Sequence, residues 1–295
     1  MYKNLSPSAL GIFGRQGEML EIALTHRFKG LEIDIMELVK RAQTTSVPQA
    51  CRYLLSAQMQ IGAFDLPVRW AGDEADFHAD LAQLPAVLEV ATALNADRCL
   101  TTVRPTSDQL PFHENFQFHV DRLGKVADLL AKANVKLGLD FSAAPSDRAD
   151  GGFQFIYQAE PMLLLLNAIQ RDNVGLVVDT WSWFVGGGDA EKVRSLRPEQ
   201  VISVRLADVP AGVEIANATE EERVMPGEGG AIDSVAVLTV LEELGYDGPV
   251  AVAMHPSLTK GQKREAIVAK ASSVLDTLFA SASISDASDL AGTAK

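Results

Sequence analysis

Four short apolar segments in the second half of the chain limit what it can fold into more than any other feature. They are 135–140 (VKLGLD), 174–179 (VGLVVD), 201–206 (VISVRL) and 249–254 (PVAVAM). Each is rich in branched side chains, and each leads into a helix-like stretch, the third after a long loop. Strands covered on both faces read this way, and such strands belong to parallel sheets. The first half repeats the unit. Segments 5–12, 30–35 (GLEIDI), 59–66 (MQIGAFDL) and 98–103 (RCLTTV) read as strands. Helical apolar spacing covers 18–26, a stretch running to about 58, then 77–94 and 115–133. Ser8, Asp76 and Asp189 are candidate helix caps, and Gly30 and Gly245 candidate helix ends.

Eight β/α units with no Pro/Gly/Ser-rich linker predict one α/β domain, a closed (β/α)8 barrel over 1–280. An open doubly wound sheet is the rival. It would show a G-x-G-x-x-G turn after the first strand, and none is present. Gly186, Gly187 and Gly188 fall after the sixth strand instead. The last stretch, 281–295 (SASISDASDLAGTAK), is small, polar and weakly periodic, and is expected to be a flexible tail.

Apolar residues make up 47% of the 295, enough for a large core. The net charge of -13 argues against nucleic acid or an anionic membrane as partner. The longest apolar run, around 162–166, is far too short to span a bilayer. The N-terminus lacks a basic, then apolar, signal pattern, so a cytoplasmic protein is expected. Cys51 and Cys99 read as reduced core thiols, not as a disulfide.

Strand tips in a parallel barrel converge on one site. Here the tips carry Asp140, Asp179, Arg205 and Ala253. Two carboxylates and a guanidinium are therefore expected to come together. Of Glu32 and Asp34 on the second strand, only one is expected to face inward. Asp65, Arg104 and Arg223 fall on the same end of the barrel. Either arginine suits a phosphate or carboxylate of a small ligand, and Trp181 or Trp183 suits stacking on a sugar ring.

Three stretches carry a resemblance that spans nearly the whole chain. They are 174–188 (VGLVVDTWSWFVGGG), 204–208 (VRLAD), and 223–233 (RVMPGEGGAID) with the following GYDGPVAV. The first resembles a strand-six motif whose common form is Asp-Thr-Trp-His-Trp. The second is similar to V-H-L-x-D, and the third to R-x-x-P-G-x-G. Together they resemble the xylose isomerase-like TIM barrels, which include sugar phosphate isomerases and epimerases, inosose-pathway enzymes and endonuclease IV relatives.

The resemblance implies one divalent metal (Mn, Co, Zn or Mg). Its usual ligands are a Glu on strand five, an Asp on strand six, a His on strand seven and a Glu on strand eight, the two glutamates often acting as acid and base. This sequence keeps only the Asp, as Asp179. Asp140 replaces the first Glu, Arg205 the His and Ala253 the second Glu, and Ser182 stands where a further His is usual. Arginine stays protonated and accepts nothing, so Arg205 is no ligand. The expectation is a site without a metal, with Arg205 in its place and paired to Asp140 and Asp179. The alternative keeps a metal on Asp140 and Asp179 with water.

The resemblance implies a small sugar-like substrate, such as a polyol, an inositol-type ring or a sugar phosphate. Asp140 or Asp179 would be the base and Arg205 the electrostatic stabiliser. Glu32, Asp65, Arg104, Trp181, Ser182, Asp208, Arg223, Glu228 and His255 are candidates to line the pocket. Family members often form dimers or tetramers, so a homo-oligomer fits the resemblance. The rival reading is a degenerate barrel that binds a sugar or a protein partner without turnover.

Overall fold

A computed structural model describes residues 1–149 and 152–284. Eight parallel strands close on themselves in chain order: β1 (Tyr2–Leu5), β2 (Gly30–Ile33), β3 (Gln60–Asp65), β4 (Arg98–Val103), β5 (Lys136–Phe141), β6 (Val174–Asp179), β7 (Val201–Leu206) and β8 (Pro249–Val252). Closure falls between β1 and β8, where Tyr2 is in register with Pro249. The long helices α1 (Gln16–Thr25), α2 (Ile35–Thr44), α3 (Val47–Ala57), α4 (Glu74–Ala93), α5 (Phe112–Ala131) and α6 (Ala159–Ile169) follow in sequence order. The short α7 (Thr180–Val185) and α8 (Ala190–Arg194) precede α9 (Ser234–Glu243) and α10 (Arg264–Ser281). Closing the sheet removes strand edges, and the strand faces turned towards the helices bury the main core.

Inside the barrel, Ala63, Leu100, Val177 and Ile202 form a separate apolar plug. Gly138 lets it close, because a Cβ there would sit 2.7 Å from the Leu100 side chain. Side chains two residues further along a strand share its face. Asp65 therefore lies above Ala63, Asp140 above Gly138 and Asp179 above Val177. The charged layer at the barrel mouth rests on a dry floor.

The first strand is shifted from its expected position. It covers Tyr2–Leu5, and the segment up to Ile12 is a tight loop in which Gly11 has φ 63°. Lys3 and Asn4 obscured the strand, yet both are buried. Lys3 faces α10, where it bonds Ser272 at 3.0 Å, so its ammonium is satisfied. The stretch expected as one helix up to residue 58 is two, because Ser46 caps a new start with Pro48 in its first turn. Asp73, not Asp76, caps α4. Ser8 caps no helix, and Gly30 opens a strand, α1 having ended at His26. Asp189 caps α8 as expected, and Gly245 has a positive φ just after α9.

Cys51 and Cys99 are buried free thiols. Most of the expected tail, 285–295, lies outside the described residues; Ser281 closes α10 and Ile284 is buried. Among the described residues no helix is long and apolar enough to cross a membrane.

Candidate functional site

Two arginines divide the acidic groups at the barrel mouth between them. Arg205, from β7, places Nη1 3.4 Å from Asp140 Oδ2 and Nη2 3.4 Å from Glu32 Oε2. It thereby spans from β2 to β5. Arg223, from the loop after β7, places Nη1 2.6 Å from Asp179 Oδ2. The expected pairing of Arg205 with Asp179 is thus corrected. The two are register partners across β6 and β7, but Arg223 takes that carboxylate and Glu32 completes the set around Arg205.

The two ion pairs differ in kind. Charge-assisted bonds between N and O are usually about 2.7–2.9 Å. Arg223, at 2.6 Å, is closer still, while both contacts of Arg205 are long. Nε of Arg205 and Nε of Arg223 are both buried and make no hydrogen bond among the described residues. Arg223 is held from several sides. It donates to Ser182 Oγ at 3.2 Å, approaches Glu220 at 3.2 Å and lies 4.8 Å above the Trp181 ring. Asp179 is equally committed, since its other oxygen accepts from the Ser182 amide at 3.1 Å and caps α7. Both oxygens of Asp179 are thus engaged, whereas both contacts of Arg205 are long, so its Nη groups keep donor capacity.

Asp140 has the perturbed carboxyl of the group. Burial raises its pKa to about 7, helped by the negative charge of Asp179 and opposed by Arg205 and Arg223. Among the described residues, only the Phe141 amide, at 2.8 Å, and the long Arg205 contact engage it. Burial works against the charge of Arg205, but Glu32, Asp140, Asp179 and Asp65 more than reverse that, and its pKa is raised. Burial also lifts the Glu220 carboxyl, despite Arg223 beside it.

Glu32 faces inward from β2, which ends at Ile33, so Asp34 lies beyond the strand. It accepts from Ser6 Oγ at 2.5 Å and from Asn4 at 3.4 Å. Asp34 turns away and caps α2 through the Met36 and Glu37 amides. A cavity of about 530 Å³ opens over β1–β3, with Glu32 and Asp65 in its wall. Glu32 is the link between this cavity and the arginine network, and neither Asp140 nor Asp179 lines the cavity.

Several expected ligand contacts are placed elsewhere. Asp208 has no exposed surface. Its carboxylate accepts from the backbone amides of Val209, Gly227, Gly230 and Ile232 at 2.8, 3.3, 2.6 and 2.8 Å, so it anchors the loop after β7. Glu228 faces outward to an ion pair with Lys270 on α10. Trp181 and Trp183 are both buried, so neither offers a stacking face. Arg104 is exposed at the end of β4. His255 uses Nδ1 on Ser257, 2.8 Å away, to start a turn. Ser182 is buried and serves the Asp179–Arg223 unit.

Ser6 and Glu220 were missed as members of the network. Ser6 lies two residues beyond Asn4, and Glu220 three before Arg223, so strand alternation and turn spacing were the available signals.

A metal of the kind the resemblance implies does not fit these residues. A hard dication needs several anionic or neutral donors. Among the described residues, no three His, Cys, Asp or Glu side chains converge to hold one. A guanidinium lies beside Asp140, and the strand-eight position is Ala253, which is buried and donates only its amide, to Leu206 O at 2.8 Å.

The protein belongs to the xylose isomerase-like TIM barrel family, whose model matches residues 18–278. Among its relatives is the inosose isomerase of Bacillus subtilis, 26% identical over 207 residues, or 70% of this chain and 71% of that one. A xylose isomerase domain protein from Alicyclobacillus acidocaldarius superposes with a TM-score of 0.84 at 22% identity, covering 96% of this chain and 99% of that one. The IOLI protein, solved with a zinc atom, superposes at 0.78 and 21% identity over 94% and 98% of the two chains. These relatives support a sugar or inositol isomerase-epimerase type of protein, while the solved structures at such identity speak for the fold.

Proposed function

We propose that this protein is a metal-independent isomerase of a small polyhydroxy ketone or aldehyde, using Asp140 as base and Arg205 as electrostatic stabiliser. One observation carries the reading: Arg205 is held at 3.4 Å on both sides, so it retains donors for an oxyanion. A guanidinium aimed at developing charge in a partly dry site lowers the barrier without reorganising.

A carboxyl with a pKa near the working pH is suited to both taking and returning a proton. Asp140 is such a group, whereas Asp179 is committed to Arg223. Asp140 removes the proton from the hydroxyl-bearing carbon beside the carbonyl. The electron pair moves into an enediolate whose oxygen faces Arg205. Asp140 then returns the proton to the former carbonyl carbon, and the hydroxyl proton passes between the two oxygens. One base on one face is sufficient for this. Inversion at a single carbon needs a second group on the opposite face, and Ala253 supplies none. The reading therefore favours isomerisation over epimerisation.

The test is proton exchange in D2O with EDTA present, across a panel of ketoses, aldoses and cyclic polyol ketones. Deuterium entering the carbon beside the carbonyl, lost in Asp140→Asn, is the expected NMR result. Exchange that requires added metal, or that survives Asp140→Asn, overturns the proposal. Ala253 also favours a second reading, a barrel that binds a sugar without turnover. Binding with no exchange in any substrate would select it.

A further inference from the structure

β4 presents a hydroxyl to the barrel mouth that no other group engages. Leu100 belongs to the apolar plug, so Thr102, two residues on, shares its face and stands above it. The flanking residues obey the same alternation. Thr101 turns outward, where its hydroxyl accepts from Trp70 Nε1 at 2.8 Å, and Val103 has no exposed surface. Thr102 is nevertheless exposed. Helices cover the outside of the barrel, so that exposure comes from the mouth. Its hydroxyl makes no hydrogen bond among the described residues.

Thr102 and Asp140 are register partners on adjacent strands, β4 and β5. Such partners lie about 4.8 Å apart across a sheet, so the hydroxyl and the carboxyl face one small ligand side by side. Arg205 Nη1 reaches the same carboxyl from β7, at 3.4 Å. A substrate with its C–H at Asp140 and its carbonyl oxygen at Arg205 is therefore within reach of Thr102.

The isomerisation assigned above contains one transfer that no residue yet performs, the passage of the hydroxyl proton between the two oxygens. A second carboxylate suits it poorly, because its charge would repel the enediolate. Asp65 is such a group, and on β3 it stands two strands from Asp140, in register with Leu100 rather than Thr102. A threonine hydroxyl is neutral and both donates and accepts a proton. Its branched Cβ also restricts the side chain to few rotamers.

We propose that Thr102 is a catalytic residue that relays this proton. The proposal rests on the isomerase reading and deepens it. Once Asp140 has taken the proton from carbon, the former carbonyl oxygen carries the negative charge. Thr102 Oγ1 gives its proton to that oxygen and takes the proton of the neighbouring hydroxyl. The threonine hydroxyl is regenerated, and the charge now rests on the second oxygen. A lone pair of that oxygen forms the new carbonyl while the carbon–carbon double-bond pair takes the proton of Asp140 at the former carbonyl carbon. No oxidant, reductant or co-reactant is needed.

The test separates the two transfers. In D2O with EDTA, NMR follows two rates on glucose, fructose, dihydroxyacetone and pentahydroxycyclohexanone. One is deuterium entering the unconverted reactant beside its carbonyl, and the other is formation of the isomer. Thr102→Val keeps the shape and removes the hydroxyl. It is expected to hold deuterium entry close to the parent rate and to lose isomer formation about 100-fold. Thr102→Ser is expected to restore most of that loss, and both variants should unfold at the parent midpoint. Isomer formed by Thr102→Val at the parent rate overturns the proposal, as does an equal fall of both rates or a failure of Thr102→Ser to restore the isomer. A parent protein that exchanges no probe sinks the isomerase reading and the relay together. Parent exchange with unaltered isomer formation in Thr102→Val sinks the relay alone.

Discussion

Arg223 lies 2.6 Å from Asp179, whose side chain is 2% exposed. Arg223 is the sole cation within ion-pair distance of Asp179 among the described residues. Removing one partner of a buried pair strands the other's charge, at a cost of about 3–5 kcal/mol. Arg223→Ala is therefore expected to lose that much stability in urea unfolding. Arg223→Lys should recover only part, since an ammonium lacks the fork that also reaches Ser182 and Glu220.

Asp140→Asn keeps the shape of the side chain and removes the base. Turnover is expected to fall about 10²–10⁴-fold, with a smaller change in KM. Steady-state kinetics on any substrate that shows D2O exchange will check this.

Activity should rise with pH through about 7, as Asp140 loses its proton. Stability should move the other way. The native carboxyl keeps its proton up to about 7, whereas the unfolded one releases it near the ordinary 3.8. Between these values the native state holds more protons, so stability is full below the window and falls as pH rises across it. Thermal melts from pH 4 to about 8 should show a flatter profile for Asp140→Asn than for the parent.

The triple variant Asp140→Glu, Arg205→His, Ala253→Glu rebuilds the donor set that the family resemblance implies. It is expected to take up about one zinc or manganese per molecule, while the parent takes up none. Elemental mass spectrometry after dialysis and desalting reads the difference directly.

Much of the barrel was legible because buried parallel strands announce themselves. β4, β6 and β7 fall on the segments that apolar, branched runs marked out. β1 did not, since Lys3 and Asn4 are buried polar residues whose partners lie far along the sequence. The strand-tip rule placed Asp140, Asp179 and Arg205 at one mouth. It could not say which carboxylate each arginine would take. That depends on Arg223, delivered by a loop whose path no periodicity encodes. Asp208 and Trp181 had motif positions suited to ligand contact, but burial decided otherwise, and burial in a loop or a single short helix leaves no pattern in sequence.

The loop after β7 has a consequence for engineering. Asp208 grips backbone amides at Gly227, Gly230 and Ile232, not side chains. A clamp that reads only backbone is indifferent to what most loop positions carry. Exposed residues such as Glu221 should be exchangeable for new recognition groups while the loop keeps its outline, so long as its glycines and Asp208 remain. The fold thus contains a replaceable rim beside a mouth whose charges are fixed.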